Sequence, residues 1–391
     1  MSVIEADVAI VYGSVIENAR IPAPVSGYYD LVVVPGFVDA HAHPQVVDGG
    51  LEPGRVWRDS YEWFEKRRLS VDEVGVRRDL ELSEKLARLT FARALLEGVT
   101  LIAVTGRLLA NVRAWLGMRS KPRAVFLPSV MDKPGWTVGE LSLDYEKVSM
   151  MVEDGTAKLG VFVHSLGTSS PETVAMAARI ASREGRILGL HFSEGVDESR
   201  RFEEVMGLPP YPVRIVTVHC IDSDLRHRNI PCVACPATNM ALYGRTRRHL
   251  EAFSGIGSDW PLLLGSSPRH MPLAIRLYRS SLQRLVSIYT IEGYRAYSMP
   301  HDGDIVAYDG GVDDLLEGRA LPSLVTVAGK VAVLEKRLAE SGLSLPDVEK
   351  MIEEAIREAY DKHRLDDSLR PPRPLTLDEL LSITLREPSS R

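Results

Sequence analysis

Eight short apolar runs, each followed by a stretch of helical periodicity, constrain the fold of this chain more than any other feature. They are Leu31–Asp39, Val99–Val104, Ala124–Leu127 and Leu159–Val163, then the runs ending at His191, His219, Cys235 and Asp259. Strands that alternate with helices call for parallel pairing, because parallel neighbours need a crossover between them. Eight such units, in a span of about the 250 residues typical of the architecture, predict an α/β fold closed into a (β/α)8 TIM-type barrel. In that fold active sites lie at the C-terminal ends of the strands.

Those ends carry metal-binding side chains. His41-Ala-His43 closes the first run, and residues two apart on a strand share a face, so both imidazoles project together. Further along, His191, His219 and Asp259 each close an apolar run. Imidazole and carboxylate ligands suit Zn²⁺ and Fe²⁺, and four or five of them at successive strand ends make a catalytic rather than a structural set. Glu194 follows His191 by three residues, where a carboxylate is placed to carry protons between an attacking water and a substrate nitrogen. The two parts belong together: a metal activates water near neutrality, and the delivered proton makes ammonia a tolerable leaving group.

The chain ends differ from the middle. Residues 1–33 read as short strands broken by turn signals, too few to bury a core alone. Matching runs occur at Asp304–Asp309, Ser323–Val327 and Lys330–Leu334, so 1–33 and 301–335 are expected to form one small β-sandwich-like domain beside a barrel of residues 34–300. Residues 336–391 read as a helical C-terminal appendage. There Leu345-Pro-Asp347 opens an amphipathic helix with Val348, Met351, Ile352, Ala355, Ile356 and Ala359 on one side, and Thr376-Leu-Asp-Glu379 has the form of a capping box. A role in packing or subunit contact leaves homo-oligomerisation open.

Charge narrows the partners. A net charge of −6 over 391 residues argues against nucleic acid or an anionic membrane and for small-molecule chemistry. The start of the chain carries Glu5 and Asp7 without a basic and apolar leader, and no run reaches the roughly 18 apolar residues of a membrane span. Three cysteines, an odd number clustered at Cys220, Cys232 and Cys235, do not read as a disulfide framework, and a reducing, cytoplasmic location is expected. Pro231-Cys-Val-Ala-Cys235 fits half of the cytidine-deaminase zinc motif, but the His-x-Glu needed upstream is missing. His227, His249, His270, His301 and His363 sit in polar stretches and read as solvated.

Pro35-Gly-Phe-Val-Asp-Ala-His-Ala-His43 and His191-Phe-Ser-Glu194 resemble the strand-one and His-x-x-Glu motifs of the amidohydrolase superfamily, in its mononuclear branch that deaminates nucleosides and nucleobases. The resemblance covers most of residues 1–335. It implies one zinc or iron ion held by His41, His43, His191 and Asp259, with His219 orienting the attacking water, Glu194 shuttling protons and Asp259 doubling as base. His164, in His164-Ser-Leu-Gly-Thr, is similar to a substrate-binding histidine of these deaminases, and Cys235-Pro-Ala-Thr-Asn239 resembles the turn after their seventh strand. Dinuclear branches need a carbamylated lysine where this chain has His164, and Lys158 lies at the opposite end of that strand. Gly54-Arg-Val-Trp-Arg-Asp59 and Trp63 resemble the segment that helps cover the substrate in related deaminases, with Trp57 and Arg58 as stacking and hydrogen-bonding groups. Trp260-Pro261 and Pro44-Gln-Val-Val depart from the purine-deaminase pattern, which leaves the heterocycle open. The resemblance thus implies a metal-dependent hydrolase of C–N bonds that deaminates a purine, pyrimidine or related heterocycle. Ring opening of a cyclic amide, as in imidazolonepropionase-like relatives, and a non-catalytic binding protein on the same barrel are the alternatives.

Overall fold

A computed structural model describes residues 2–52, 54–148, 152, 155–183, 186–206 and 213–384; the last seven residues of the expected appendage lie outside it. Three strands open the chain, β1 (Ser2–Val11), β2 (Ser14–Ala23) and β3 (Gly27–Val34). β1 and β2 form a hairpin whose turn residues, Tyr12 and Gly13, have φ of 51° and 83°, the left-handed pair that matches the twist of the flanking strands.

The barrel strands follow: β4 (Phe37–Ala42), β5 (Val99–Val104), β6 (Arg123–Phe126), β7 (Ser129–Val130), β8 (Ala157–Ser165), β9 (Ile187–Phe192), β10 (Arg214–His219), β11 (Cys232–Ala234) and β12 (Gly255–Ile256). They pair in parallel in the order β12-β11-β10-β9-β8-β6-β5-β4, with the short β7 beside β8. A bridge between Ala42 and Asp259 closes the ring, with Asp259 N donating to His41 O at 2.8 Å and His43 N to Asp259 O at 2.7 Å. Seven of the apolar runs of the sequence supply strands of this (β/α)8 barrel as expected; the first is split, Leu31–Val34 closing β3 of the second sheet and Phe37–Asp39 opening β4 of the barrel.

Alternate residues of the strands fill the barrel interior: Val38, Ala40, Leu101, Ala103, Val125 and Phe162 are among them, and Tyr294 and Tyr297 plug the N-terminal end from below. The opposite faces pack against the helices in the main core. Pairing of β4 with β5 slips between Asp39 and Ala42. The slip re-aims the strand end, so that His41 and His43 both face the mouth.

The remaining strands, β13 (Ile305–Tyr308), β14 (Leu324–Val327), β15 (Lys330–Leu334) and β16 (Arg337–Leu338), join the first three in one seven-stranded sheet of order β16-β15-β14-β13-β3-β1-β2. Both chain ends therefore build a single sheet. Asp304 ties it to the barrel: its carboxylate accepts from Arg123 Nε at 2.7 Å, Tyr294 Oη at 2.6 Å and Ala328 N at 2.7 Å.

The helix Leu345–His363 starts with a capping box between Ser344 and Asp347 and buries Val348, Ile352, Ala355, Ile356 and Ala359. Met351, expected on that side, is exposed. The helix lies along Leu80–Leu96, with Glu349 reaching the buried Arg93 at 3.3 Å. Among the described residues no helix is long and apolar enough to cross a membrane.

Two expectations fail. Cys220 and Cys232 form a disulfide, leaving Cys235 free and buried. Cys232 pairs with Thr217 across β10 and β11, and Cys220, just beyond β10, turns back through a left-handed φ of 47° to reach it, which a count of cysteines does not register. His270 is fully buried rather than solvated, because its Nε2 meets the Leu264 carbonyl at 3.1 Å; burial lowers its pKa to about 4.

Candidate active site

Four side chains converge at the mouth of the barrel. His41 Nε2 lies 2.9 Å from His43 Nε2 and 3.1 Å from His191 Nε2, and His43 and His191 are 3.4 Å apart. Asp259 Oδ1 stands 3.5 Å from His41 Nε2 and 3.3 Å from His43 Nε2. Donor atoms about 2.0–2.1 Å from a common tetrahedral centre are about 3.3 Å from one another, so the set has the dimensions of a zinc cage. Burial lowers the pKa of His41 and holds those of His43 and His191 well below normal, leaving neutral imidazoles. Burial opposes the charge of Asp259, yet the bond to His41 and the surrounding histidines keep its carboxylate ionised. Neutral lone pairs aimed at one another repel unless a cation lies between them, and these residues fit a divalent metal.

The supporting contacts are specific. His43 Nδ1 pairs with Thr105 Oγ1 at 2.8 Å, which turns Nε2 toward the cluster. Phe162 stacks on His41 at 5.1 Å between centroids and meets His191 edge-on at 4.8 Å, a rigid floor beneath both. Gly189 on the neighbouring strand makes the space: a Cβ there would lie 2.5 Å from the Phe162 ring. Lys158, at the N-terminal end of β8, donates to the carbonyls of Tyr297 and Ser298. Asp259 has a φ of 65°, a strained value for a residue other than glycine, held by the two backbone bonds to β4.

Beside the cluster stand Glu194 and His219. His219 Nδ1 is 2.7 Å from Asn239 Oδ1, so Nδ1 carries the proton and Nε2 is left as an acceptor. That Nε2 lies 3.7 Å from Glu194 Oε1. Tyr243 Oη donates to the same carboxylate oxygen at 2.6 Å. Burial raises the pKa of Glu194, while His219 and Tyr243 act in the opposite direction. Asn239 and Tyr243 are four residues apart in the helix Pro236–Tyr243, and this spacing puts both on the face toward the site. Thr105 and Tyr243 went unread in the sequence; only the i,i+4 spacing from Asn239 pointed to Tyr243.

A cavity of about 440 Å³ opens above these groups, lined by His43, His191, Glu194, His219 and Asp259 at the cluster and by His164 at one side. His164 Nδ1 meets Thr168 Oγ1 at 3.1 Å, and burial, followed by the charges of Arg67 and Lys133, lowers its pKa to about 3. The imidazole is a neutral hydrogen-bonding group.

Trp57 and Arg58 do not line this cavity. Trp57 is buried under the Arg55 guanidinium, 3.5 Å from the ring centroid, and the Arg58 side chain is 74% exposed and bonded to Asp59 at 2.6 Å. Asp59 caps the helix Ser60–Lys66 by accepting from Glu62 N at 2.8 Å. That start point fixes the helical phase, and the wall is built instead from Tyr61, Trp63, Phe64 and Arg67.

Comparison with known proteins identifies the family and the fold. A sequence model of the amidohydrolase family matches residues 32–307. Among solved structures, an adenosine deaminase from Xanthomonas campestris with bound zinc is similar at a TM-score of 0.69 and 15% identity, over 92% of this chain and 98% of that one. An atrazine chlorohydrolase from Arthrobacter aurescens TC1 complexed with zinc is similar at 0.66 and 16% identity, over 92% and 100%. The aminofutalosine deaminase of Helicobacter pylori in complex with methylthio-coformycin is similar at 0.62 and 14%, over 85% and 100%. At these identities the likeness is one of fold. No curated protein matches the sequence significantly.

Proposed function

The chain belongs to the amidohydrolase family, and from that premise we propose that it is a metal-dependent hydrolase of C–N bonds that deaminates a purine, pyrimidine or related heterocycle. One observation carries the reading: a buried carboxylate, Glu194, and an acceptor nitrogen, His219 Nε2, stand 3.7 Å apart beside four convergent ligand groups. Three imidazoles and one carboxylate favour zinc, with iron as the alternative. A divalent ion held by His41, His43, His191 and Asp259 supplies Lewis acidity that brings the pKa of water toward neutrality.

The residues divide the remaining work. His219, its Nδ1 proton committed to Asn239, accepts a hydrogen bond from the attacking water and aims it at the carbon that bears the amine. Glu194 takes the water's proton and delivers it to the heterocycle nitrogen, and Asp259 accepts the second proton and passes it to the amine, which leaves as ammonia as the C–N bond breaks. Burial raises the pKa of Glu194 above that of an ordinary carboxylate, which favours proton uptake by a group that must both take and give a proton. His164 bonds the heterocycle from the side, and Trp63 and Phe64 add apolar wall beside it.

An ammonia-release screen with zinc- or iron-reconstituted protein tests this across aminopurines, aminopyrimidines, their nucleosides and cyclic amides. Ammonia from at least one amino-heterocycle is expected. Ring opening of a cyclic amide without ammonia would move the assignment to the cyclic amidohydrolases. A fully metallated protein that turns over none of them would leave a binding role.

A further inference from the structure

Charge is unevenly divided around the cavity. The carboxylates of Asp259 and Glu194 belong to the metal cluster, whereas the wall built from the helices Ser60–Lys66 and Glu73–Arg78 and the segments around them carries Arg67 and Arg77. Glu73, on that wall, is already taken: Arg67 Nη2 donates to it at 2.6 Å.

Arg77 is in a different position. Its Nε donates to Gly135 O at 2.5 Å and one Nη2 hydrogen to Ser129 O at 3.2 Å. Among the described residues no carboxylate lies within 4.0 Å of its guanidinium. Five N–H donors are available on that group, and these bonds use two. The side chain is partly buried, with its guanidinium 4.8 Å from the Trp136 ring centroid. Lys133 adds a second cation, 5.1 Å from the same ring and 5.6 Å from Phe64. Arg107 brings a third, donating to the carbonyls of Arg77 and Arg78 at 2.8 and 2.9 Å. Elsewhere in the fold, buried guanidinium groups are matched: Arg93 with Glu97 at 3.0 Å and Arg123 with Asp304 at 2.7 Å. Glu140 and Asp144 act on the Arg77 charge from beyond 4.0 Å, and neither takes its remaining N–H donors, so an anion in the cavity can. A planar fork with free donors is suited to hold that anion in two-point contact.

We propose that the substrate carries an anionic substituent, a carboxylate or a phosphate, which Arg77 binds while the heterocycle reaches the metal cluster. The proposal rests on the reading of this cavity as the substrate site. It divides candidate substrates into neutral nucleobases, which leave the free donors of Arg77 unused, and acidic heterocycles or their phosphorylated forms, which engage them.

Equilibrium binding separates this proposal from the reaction, because no turnover is needed. Isothermal titration of zinc-loaded protein would use benzoate, phenyl phosphate and neutral benzamide as probes, alongside an Arg77→Met variant. At least one anion should bind wild type about tenfold tighter than benzamide, and Arg77→Met should weaken that anion about tenfold or more, as expected for a charge-assisted bond. Which anion is preferred identifies carboxylate or phosphate. Loss of the guanidinium as a tether to Gly135 and Ser129 would instead lower Tm and weaken all three probes equally, which would overturn the proposal. So would anion binding that survives unchanged in Arg77→Met, since it would then be due to the metal alone. Should Arg77→Met not fold, Arg77→Lys keeps a charge and a donor but loses the fork; its anion affinity must fall several-fold, and an unchanged value refutes the assignment. Ammonia release from neutral amines by either variant would leave the deaminase reading standing while this one fell.

Discussion

Tyr243 Oη donates to Glu194 Oε1 at 2.6 Å, and His219 Nε2 faces the same oxygen at 3.7 Å. The bond stabilises the ionised carboxylate against a burial that favours its neutral form. Removing it in Tyr243→Phe raises the pKa of Glu194, so a smaller fraction is ionised at a given pH. The acidic limb of kcat/KM should move to higher pH, with activity below neutrality down about tenfold. Superimposable pH profiles would show that Tyr243 only packs.

A second expectation concerns the ligands. Elemental analysis should find about one divalent ion per chain, as four closely spaced donors imply. His41→Ala and Asp259→Ala should each lose it. Two ions per chain would require a bridging ligand that these four groups do not include.

Gly257 lets β12 lie against β4. A Cβ at this position would lie 2.7 Å from His41 Cβ and 2.7 Å from His41 O, and the backbone of a barrel strand cannot move aside cheaply. Gly257→Ala should cost about 1–3 kcal/mol and displace Asp259 from the cluster. Thermal unfolding and metal content measured together check this, and a variant normal in both would refute it.

Glu97 stabilises the contact between the barrel wall and the C-terminal helix. Its carboxylate accepts from Arg93 Nε at 3.0 Å and Ser266 N at 2.6 Å. Burial works against its charge, but Arg93 and Arg269 outweigh it and the pKa is lowered. A depressed carboxylate stabilises the fold fully above its unfolded value of about 4.3, and this contribution is lost as pH falls through the folded value. Glu97→Gln should therefore destabilise by about 2–4 kcal/mol near neutrality. The difference from wild type should shrink below about pH 4. Denaturation curves with a constant difference across that range would contradict the assignment.

Period and position made the barrel legible. Each strand is a short apolar run, and a ligand at the end of a run must lie at the mouth, so His41, His43, His191 and Asp259 could be grouped before any distance was known. Helical phase was not legible. The cap at Asp59 decides which side chains of the first helix reach the cavity: Trp63, read with the covering segment, lines it, while Tyr61, Phe64 and Arg67 stand there in place of Trp57 and Arg58. Contacts between distant segments were equally hidden. Cys220 meets Cys232 through a turn just past β10, and His270 finds its acceptor in the Leu264 carbonyl despite a polar neighbour, Arg269.

The most direct test is the rate of ammonia release by Glu194→Gln, measured together with its zinc content on the best substrate from the screen. The variant keeps shape and hydrogen-bonding reach but cannot carry a proton. Metal should stay at about one ion per chain while kcat falls by about 10²–10⁴-fold, the loss usual for a general acid–base group. His191→Asn should instead lose metal and activity together, because its imidazole is a ligand. A metallated Glu194→Gln enzyme with more than about a tenth of wild-type kcat would contradict proton transfer by Glu194.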